Sequence, residues 1–380
     1  MQAAEFRRVA ASWIDNHGGQ ALALGPELTG SVDAVLGHQR RIQRMLFDAG
    51  LMRWGWPERA GGLGGSPVLR AVLGEELTSR AIVHTAPWSM HEVLGPAVIE
   101  FGPPDLVADV FPRLLRGEEF WCQGFSEPDA GSDLGSLRTT ATSSGDGWVI
   151  NGEKFWTSFA HHASRCVVLA RTGQPGSGSR GISAFLVDMD TPGITASPLR
   201  TMAGVEEFCS TSFADVAVPA GRLLGSADGG WRVAQHILSC ERGPIFWQRG
   251  AWLGHHLARL TAAVGQPGRD TRSQALLGEA YQLLWAFRAR STATQRQIAQ
   301  GHLPGPEASV DKIMIAAADQ AVFDVARELL GGGLETGDSP SAAAWRREWA
   351  YSRAATIYGG TSEIQRDIVS LRLLGLPRSA

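Results

Sequence analysis

The densest cluster of chemically useful side chains lies in residues 121–136, where polar, small and turn-forming residues follow one another closely. Pro128 fixes one backbone angle and Gly131 frees another, while Ser126 and Ser132 place hydroxyl groups beside main-chain N–H donors. A loop of this kind can hold the polar edge of a ring or an amide-rich tail. An ordinary turn, in which a short polar side chain caps the next element, accounts for the same residues.

Glu241 lies in a helical pattern whose nearby residues are apolar. Those neighbours are Ile237, Leu238, Cys240 and Ile245. Apolar surroundings raise the pKa of a carboxyl group towards the pH at which a base works. The adjacent Arg242 leaves a second interpretation open, since a Glu–Arg pair is also typical of the solvated face of a helix.

Four other motifs do not support the chemistry that they resemble. His161-His162 and His255-His256 are adjacent pairs, without the i, i+4 spacing that puts two metal ligands on one helix face. Gly124-Phe-Ser-Glu-Pro128 has proline where the nucleophile elbow of a serine hydrolase needs glycine. Gly176-Ser-Gly-Ser-Arg-Gly181 matches a dinucleotide-binding pattern, but a strand rather than a helix is predicted after it, so a flexible hairpin connection is expected.

The bulk composition is that of an ordinary globular protein. The chain has 380 residues, 44% of them hydrophobic and 19% charged, and a formal net charge of −3. The charge provides no field for nucleic acid or an anionic membrane, and no apolar run approaches the roughly 20 residues that span a bilayer. Four widely separated cysteines fit a reducing compartment. We therefore expect a cytoplasmic protein with no nucleic-acid, membrane or metal partner.

Hydrophobic periodicity divides the chain into three predicted domains. Residues 1–118 read as helices, 119–226 as short alternating strands separated by turns, and 227–380 again as helices. The later helices are predicted over 271–300, 307–330, 341–355 and 362–373. The expected fold is α+β, with an N-terminal helical domain, a middle antiparallel β-barrel or sandwich and a C-terminal four-helix-type bundle.

Three ordered motifs resemble the acyl-CoA dehydrogenase family. Phe125-Ser-Glu-Pro-Asp-Ala-Gly-Ser-Asp133 is similar to a flavin-contacting signature of that family. Asn151-Gly-Glu-Lys-Phe-Trp-Thr-Ser158 resembles its tryptophan-containing flavin strand, and Tyr358-Gly-Gly-Thr-Ser-Glu-Ile-Gln-Arg366 its C-terminal motif. The resemblance implies the three-domain order above and α,β-dehydrogenation of an acyl-CoA thioester with FAD as cofactor.

The resemblance assigns roles to individual positions. The residues matched to flavin contacts are Gln123, Phe125, Ser126, Trp156, Ser158, Thr361 and Glu363. Ser132 matches a serine that contacts the acyl-carrier tail, and Arg242 an arginine near the substrate pocket. Core packing is the alternative for Trp156, and an N-cap of the terminal helix is the alternative for Thr361.

The resemblance also implies which carboxylate acts as the base. The best-known branch of the family has a glutamate where this chain has Gly359, which carries no proton-accepting side chain. A second branch, which includes isovaleryl- and long-chain-type enzymes, has the glutamate on a bundle helix just before an arginine. Glu241 occupies that position, so the resemblance implies that Glu241 is the base.

Two departures from the family pattern concern the pyrophosphate site of a neighbouring subunit. The usual Arg-x-x-Phe-Gly stretch is replaced by Gly268-Arg-Asp-Thr-Arg-Ser273, and a customary glutamine is replaced by Glu328. A carboxylate beside a pyrophosphate is repelled unless it is protonated or paired. These changes resemble bacterial heteromeric dehydrogenases of steroid side-chain CoA thioesters, so a heterotetramer with a second chain of the family is expected, with a homotetramer as the alternative.

The electron acceptor expected from the resemblance is an electron-transfer flavoprotein or a similar carrier. Two other functions stay open. One is an oxidase or monooxygenase of the same fold, which passes electrons to oxygen. The other is a non-catalytic subunit that completes the FAD site of a partner chain.

Overall fold

A computed structural model of the chain describes residues 1–17, 22–25, 28–174, 176–264 and 271–377. Five helices form the N-terminal part: α1 (Ala3–Asn16), α2 (Val32–Asp48), α3 (Val68–Ser79), α4 (Thr85–Phe101) and α5 (Pro104–Leu115). Helix α4 is apolar along most of its length and is buried on nearly every side. The remaining N-terminal helices pack around it. Within the described ranges, no helix is both long and apolar enough to cross a membrane.

The middle of the chain forms one eight-stranded sheet. The strands are β1 (Trp121–Gly124), β2 (Thr140–Ser144), β3 (Gly147–Ser158), β4 (Arg165–Arg171), β5 (Ile182–Asp188), β6 (Ile194–Leu199), β7 (Phe208–Pro219) and β8 (Leu223–Leu224). Their order is β6-β7-β3-β2-β4-β5-β8, with β1 paired to β4. Most neighbours are antiparallel, but β1 runs parallel to β4, and β2 meets β4 at a single parallel pair.

The C-terminal part is helical again. Its helices are α6 (Gly230–Cys240), α7 (Phe246–Val264), α8 (Thr271–Ala299), α9 (Ala308–Leu330), α10 (Gly332–Glu335), α11 (Pro340–Ser352) and α12 (Ser362–Ile368). Helices α7, α8, α9 and α11 enclose a core that contains Leu253, Phe287 and Phe323. One π-helical turn, Glu241–Ile245, joins α6 to α7 without a loop.

The two faces of the sheet belong to two different cores. On β4, Val167 and Leu169 face the core shared with the N-terminal helices and α6. Cys166, Val168 and Ala170 face the opposite side, where they pack with other sheet residues. This period-2 alternation of two apolar sets explains why the strand is apolar along its length. The sheet therefore packs against helices on one face, and on the other face its side chains pack against one another.

The α+β architecture is confirmed, with differences in detail. The stretch 121–136 is not a loop throughout, since its first four residues form β1, whose hydrogen-bonding partner β4 lies over forty residues along the chain. The Gly176–Gly181 motif leads into β5 and connects it to antiparallel β4, as predicted. The domain limits at 118 and 226 stay predictions. Gly265 and Gly268 predict a break before the helix at 271–300, but both lie outside the described residues.

Candidate active site

Glu241 begins the π-helical turn between α6 and α7. Pro244 lies within that turn, and since proline has no N–H to donate, the regular hydrogen-bond ladder cannot continue through it. The extra residue of a π turn absorbs this defect and rotates the side chains that follow; such turns are frequent at functional sites. The sequence therefore places its candidate base at a local irregularity of an otherwise continuous helix.

The carboxylate of Glu241 meets the C-terminal motif at Gly359. A Cβ built on Gly359 would lie 3.0 Å from Oε1 of Glu241 and 3.5 Å from Cε of Lys312. Gly359 has φ +65°, a left-handed conformation that glycine adopts without strain. The carboxylate of Glu241 therefore lies beside position 359, the position that carries the glutamate in the other branch of the family.

Two cations lie near this carboxylate. Burial raises the pKa of Glu241, and the charges of Arg242 and Lys312 partly oppose that rise. Lys312 is fully buried, donates a hydrogen bond to the carbonyl of Ala355 and has its ammonium 4.7 Å from the centre of the Tyr358 ring. Burial lowers the pKa of Lys312 to about 8, against the pull of nearby carboxylates. Lys312 thereby ties α9 to the backbone just before the C-terminal motif.

Arg242 contacts Ser239, with 3.5 Å between Nη2 and the hydroxyl oxygen. Its Nε is buried and has no hydrogen-bond partner, and burial lowers the pKa of the group. Among the described residues Arg242 forms no ion pair within 4 Å. Arg242 therefore takes no part in a structural salt bridge among these residues, and its assignment to the substrate pocket stays a prediction.

A buried ion pair holds the polar loop after β1 against β3. Glu127 accepts hydrogen bonds from the backbone N–H groups of Arg138 (2.6 Å) and Thr139 (2.9 Å) and from Nζ of Lys154 (2.7 Å). Nζ of Lys154 also donates to the carbonyl of Phe125 at 3.2 Å. Burial lowers the pKa of Lys154 to about 8, with Glu127 opposing the change. These bonds fix the loop from both ends.

Two of the segments matched to flavin contacts, the loop after β1 and the end of β3, meet each other. The backbone N–H of Phe155 donates to the carbonyl of Ser126 at 2.8 Å, which joins the loop to the strand. A β-bulge between Lys154 and Thr157 contains Trp156, at φ +61°. Bulges redirect side chains, and here the indole is 56% exposed, with its ring centroid 5.8 Å from that of Phe208.

This surface fits a flavin ring. More than half of the Trp156 indole is exposed on the strand bulge, so it offers an apolar plane on which a ring can stack. The half-buried Ser126 and Ser158 flank it with hydroxyl groups that can donate or accept hydrogen bonds. Phe125 is buried behind the loop, and Gln123 lies half-buried on β1. Trp156 is not part of the hydrophobic core, so core packing does not explain it.

The other predicted contacts lie at the start of α12 and farther along the loop after β1. Thr361 caps α12 by accepting a hydrogen bond from the N–H of Ile364 at 3.2 Å, and Glu363 is exposed, 3.7 Å from Arg366. Ser132 is exposed on the loop after β1. Their assignments to the adenine side of FAD and to the acyl-carrier tail stay predictions. Among the described residues, no three His, Cys, Asp or Glu side chains converge as metal ligands do.

Three residues important to this geometry were not predicted from the sequence: Glu127, Lys154 and Lys312. Lys312 shares the buried face of α9 with Ile315, Ala316 and Asp319, so helical periodicity was an available signal. Lys154 is buried although the strand pattern around it is polar. Only its pairing with Glu127, which lies in a different element, explains its burial.

Comparisons with known proteins cover the whole length of the chain. Family models match in order: the acyl-CoA dehydrogenase N-terminal domain over residues 30–118, the middle domain over 122–216 and the C-terminal domain over 228–374. Acyl-CoA dehydrogenase IpdE1 of Mycobacterium tuberculosis is 38% identical over 387 residues, covering 99% of this chain and 98% of that protein. Acyl-CoA dehydrogenase FadE34 of the same organism is 36% identical over 94% of this chain and 49% of its own length.

Solved structures agree with these matches. A chain of the Tcur3481-Tcur3483 steroid ACAD superposes with a TM-score of 0.85 at 26% identity, covering 99% of this chain and 98% of that one. A chain of the ChsE4-ChsE5 complex from Mycobacterium tuberculosis gives a TM-score of 0.83 at 26% identity, with 100% and 98% covered. With the three domain models, the full-length relatives and the paired carboxylate and glycine in view, the chain belongs to the acyl-CoA dehydrogenase family.

Proposed function

We propose that Glu241 is the base of this acyl-CoA dehydrogenase and removes the α-proton of an acyl-CoA thioester, so that a trans-2-enoyl-CoA forms. The observation that carries the proposal is the 3.0 Å between Oε1 of Glu241 and the Cβ position of residue 359. Either of the two known base positions of the family would bring a carboxylate to this point. The buried surroundings of Glu241 favour the neutral acid, whereas the positive charges of Arg242 and Lys312 partly stabilise the carboxylate.

FAD, when bound, supplies the acceptor for the β-hydride. Trp156 offers the stacking plane for its ring, and the hydroxyl groups of Ser126 and Ser158 offer hydrogen bonds to the ring edge. Phe125 and Gln123 support this surface from β1 and the loop that follows it. Thr361 and Glu363 are assigned to the adenine side. The half-buried ring of Tyr358 and the side chain of Lys312 contact each other next to Gly359, beside the base.

We infer that the enzyme acts as a heterotetramer with a second chain of the family. Arg272, in the stretch that replaces the family's Arg-x-x-Phe-Gly, is paired at 2.5 Å with Glu328, which replaces the family's glutamine. An arginine neutralised by a carboxylate attracts a pyrophosphate less strongly than a free one. Two structures similar to this chain are complexes of unlike chains by name, which supports the same inference.

The same neighbours suggest the substrate class. One of them is a steroid ACAD by name, and we propose that this chain likewise takes a steroid side-chain CoA thioester. Electrons then leave for an electron-transfer flavoprotein or a similar carrier. An oxidase of the same fold would instead return its electrons to oxygen, and the rate at which the reduced enzyme is reoxidised in air separates the two.

The FAD content per chain tests the assembly. The chain is purified alone and again after co-expression with a second acyl-CoA dehydrogenase-like chain as its candidate partner. We expect full FAD loading only in the co-expressed complex, together with enoyl-CoA formation from a steroid side-chain CoA. A fully loaded, active homotetramer would refute the heterotetramer.

Paired variants sharpen this test. Glu328→Gln frees Arg272, so it should raise the FAD content of the chain purified alone. Glu118→Gln is the matched control because it breaks a similarly exposed ion pair, with Arg44 at 3.1 Å, in the N-terminal part of the chain. An equal response to both variants would show that the Arg272–Glu328 pair has no specific effect on FAD.

A further inference from the structure

A cavity of about 80 Å³ lies where the N-terminal helices, the sheet and the C-terminal bundle meet. Its lining is mostly apolar and includes Val35, Pro87, Phe159 and Trp252. A single water needs only about 10–15 Å³, so the space admits the edge of an apolar ring. None of the residues assigned to the base or to the flavin lines this cavity.

Glu207 brings an unpartnered carboxyl group to this cavity. The residue is only 8% exposed, and its side chain has no hydrogen bond or ion pair among the residues that the structure describes. Its backbone is fixed, since its carbonyl accepts a hydrogen bond from the N–H of Phe159 at 2.6 Å. Neither of its oxygens is among the fully enclosed polar atoms without a partner, so the carboxyl reaches the cavity, where a ligand can supply the partner that the protein does not.

The other charged groups near Glu207 already have partners. Glu348 accepts hydrogen bonds from Arg249 at 3.1 Å and from His84 at 3.3 Å, and Arg249 is also bound to both oxygens of Asp319. Burial raises the pKa of Glu207 to about 7; the charge of Glu348 adds to this rise, and those of His84 and Arg249 oppose it. Glu207 is therefore available as a neutral acid, which can donate one hydrogen bond and accept another.

His256 also lines the cavity, and because it is buried its imidazole is neutral. Its Nδ1 lies 3.1 Å from the carbonyl of Trp252, and burial lowers the pKa of the imidazole to about 3. The cationic side chains of Arg259 and Arg347 line the same cavity. Apart from the neutral His256, the carboxyl of Glu207 therefore shares the cavity with His84, Arg259 and Arg347.

The cavity lies beside the candidate active site but at a distance from the base. Tyr351 lines it, and the ring of Tyr351 is 5.7 Å from that of Tyr358, next to Gly359. Trp252 follows Glu241 by eleven residues. At about 1.5 Å of rise per residue, the two residues are about 16 Å apart along the helix. A long or bulky acyl group can span this distance, whereas a short one cannot.

We propose that this cavity binds the far end of the acyl group, an alicyclic ring whose neutral ketone or hydroxyl oxygen forms a hydrogen bond with Glu207. The proposal rests on the proposed function, since it identifies the substrate of the same site. A ketone accepts the proton of the acid, and a hydroxyl can both donate and accept. A ring without oxygen leaves the carboxyl unpartnered and binds less tightly.

The test compares two CoA thioesters that differ only in this oxygen: 6-(4-oxocyclohexyl)hexanoyl-CoA and 6-cyclohexylhexanoyl-CoA. Affinities are measured by calorimetry at pH 6.5 on the FAD-loaded protein, with its partner chain where loading requires one. The protein carries Glu241→Gln, so that binding is measured without chemistry. We expect the oxo thioester to bind about tenfold more tightly, the effect of one good hydrogen bond.

Variants at Glu207 identify the group responsible. Glu207→Leu should reduce the preference to less than twofold. Glu206→Gln, a change of the exposed neighbouring residue, should keep it. Glu207→Gln retains a donor and should keep most of the preference at all pH values, whereas the parent should lose it above pH 7 as the acid ionises. Equal affinities in the parent, or an unchanged preference in Glu207→Leu, would overturn the proposal.

Failure of the proposed function has a different signature. With Glu241 intact and an acyl-CoA added without an electron acceptor, a dehydrogenase loses its flavin absorbance. Persistent flavin colour with every acyl-CoA would contradict the dehydrogenation, whereas the binding preference for the ring oxygen would be unaffected.

Discussion

Glu241→Gln is the sharpest test of the chemistry, because the amide keeps the shape of the side chain and cannot accept a proton. Positioned proton transfer contributes on the order of 10²–10⁴ to a rate, so kcat should fall by that factor while KM changes little. The measurement is the rate of flavin bleaching after rapid anaerobic mixing with an acyl-CoA. Glu279→Gln, the same change at an exposed position on α8, is the control and should have no effect.

Moving the carboxylate tests the geometry itself. Gly359→Glu alone should be harmful, because its Cβ would stand 3.0 Å from Oε1 of Glu241. The double change Glu241→Ala with Gly359→Glu removes that contact and delivers a carboxylate from the loop. The left-handed backbone at position 359, with φ +65°, makes any side chain there cost about 1–2 kcal/mol of stability.

The double variant should therefore recover activity at some cost in thermal stability. We expect at least tenfold more activity than in Glu241→Ala alone. Full FAD loading and an unchanged circular dichroism spectrum establish that the variants are folded. The reasoning is refuted if a folded, FAD-loaded double variant is no faster than Glu241→Ala, or if Glu241→Gln retains normal turnover.

Three further predictions concern charge and packing. Glu241 must be ionised to act and burial raises its pKa, so kcat/KM should rise with pH through that pKa. Lys312→Met removes a positive charge that lowers the pKa of Glu241, so the rise in the measured profile should move to higher pH. Arg249→Met strands buried carboxylates and should destabilise the fold by about 3–5 kcal/mol in urea unfolding. Gly230→Ala puts a Cβ 2.4 Å from the backbone of β5 and should lower the melting temperature, whereas Gly254→Ala, with nothing within 4 Å, should raise it slightly.

Local patterns were sufficient to predict most of the fold. Helices α8 and α9 lie within a residue or two of their predicted limits, since long periodic segments bury one face regardless of detail. Strand β4 falls in the segment predicted as short strands, and in the structure both of its faces are apolar, one towards each core. Strand β1 was missed because its four residues have no period of their own, and its partner is distant in sequence.

The site depended on relations that sequence patterns do not contain. Pro244 indicates a break in the helix, but not that a π turn would carry the chain through it. The bulge that exposes Trp156 arises from a mismatch in register between β3 and β7. Glu241 and Gly359 are 118 residues apart, and their contact follows only from the packing of α9 and the C-terminal motif against the π turn.

Gly359 and Glu241 are best understood as one feature of the site. Read alone, the glycine in the C-terminal motif suggests a lost base, and the glutamate on the helix suggests a surface charge. In the structure the carboxylate fills the space beside the glycine, whose Cβ would lie 3.0 Å from it. Carboxylates at both positions would share one site and force one of them to be protonated. A glutamate at either position therefore requires a residue without a carboxylate at the other, and the missing glutamate of the motif is what lets Glu241 act.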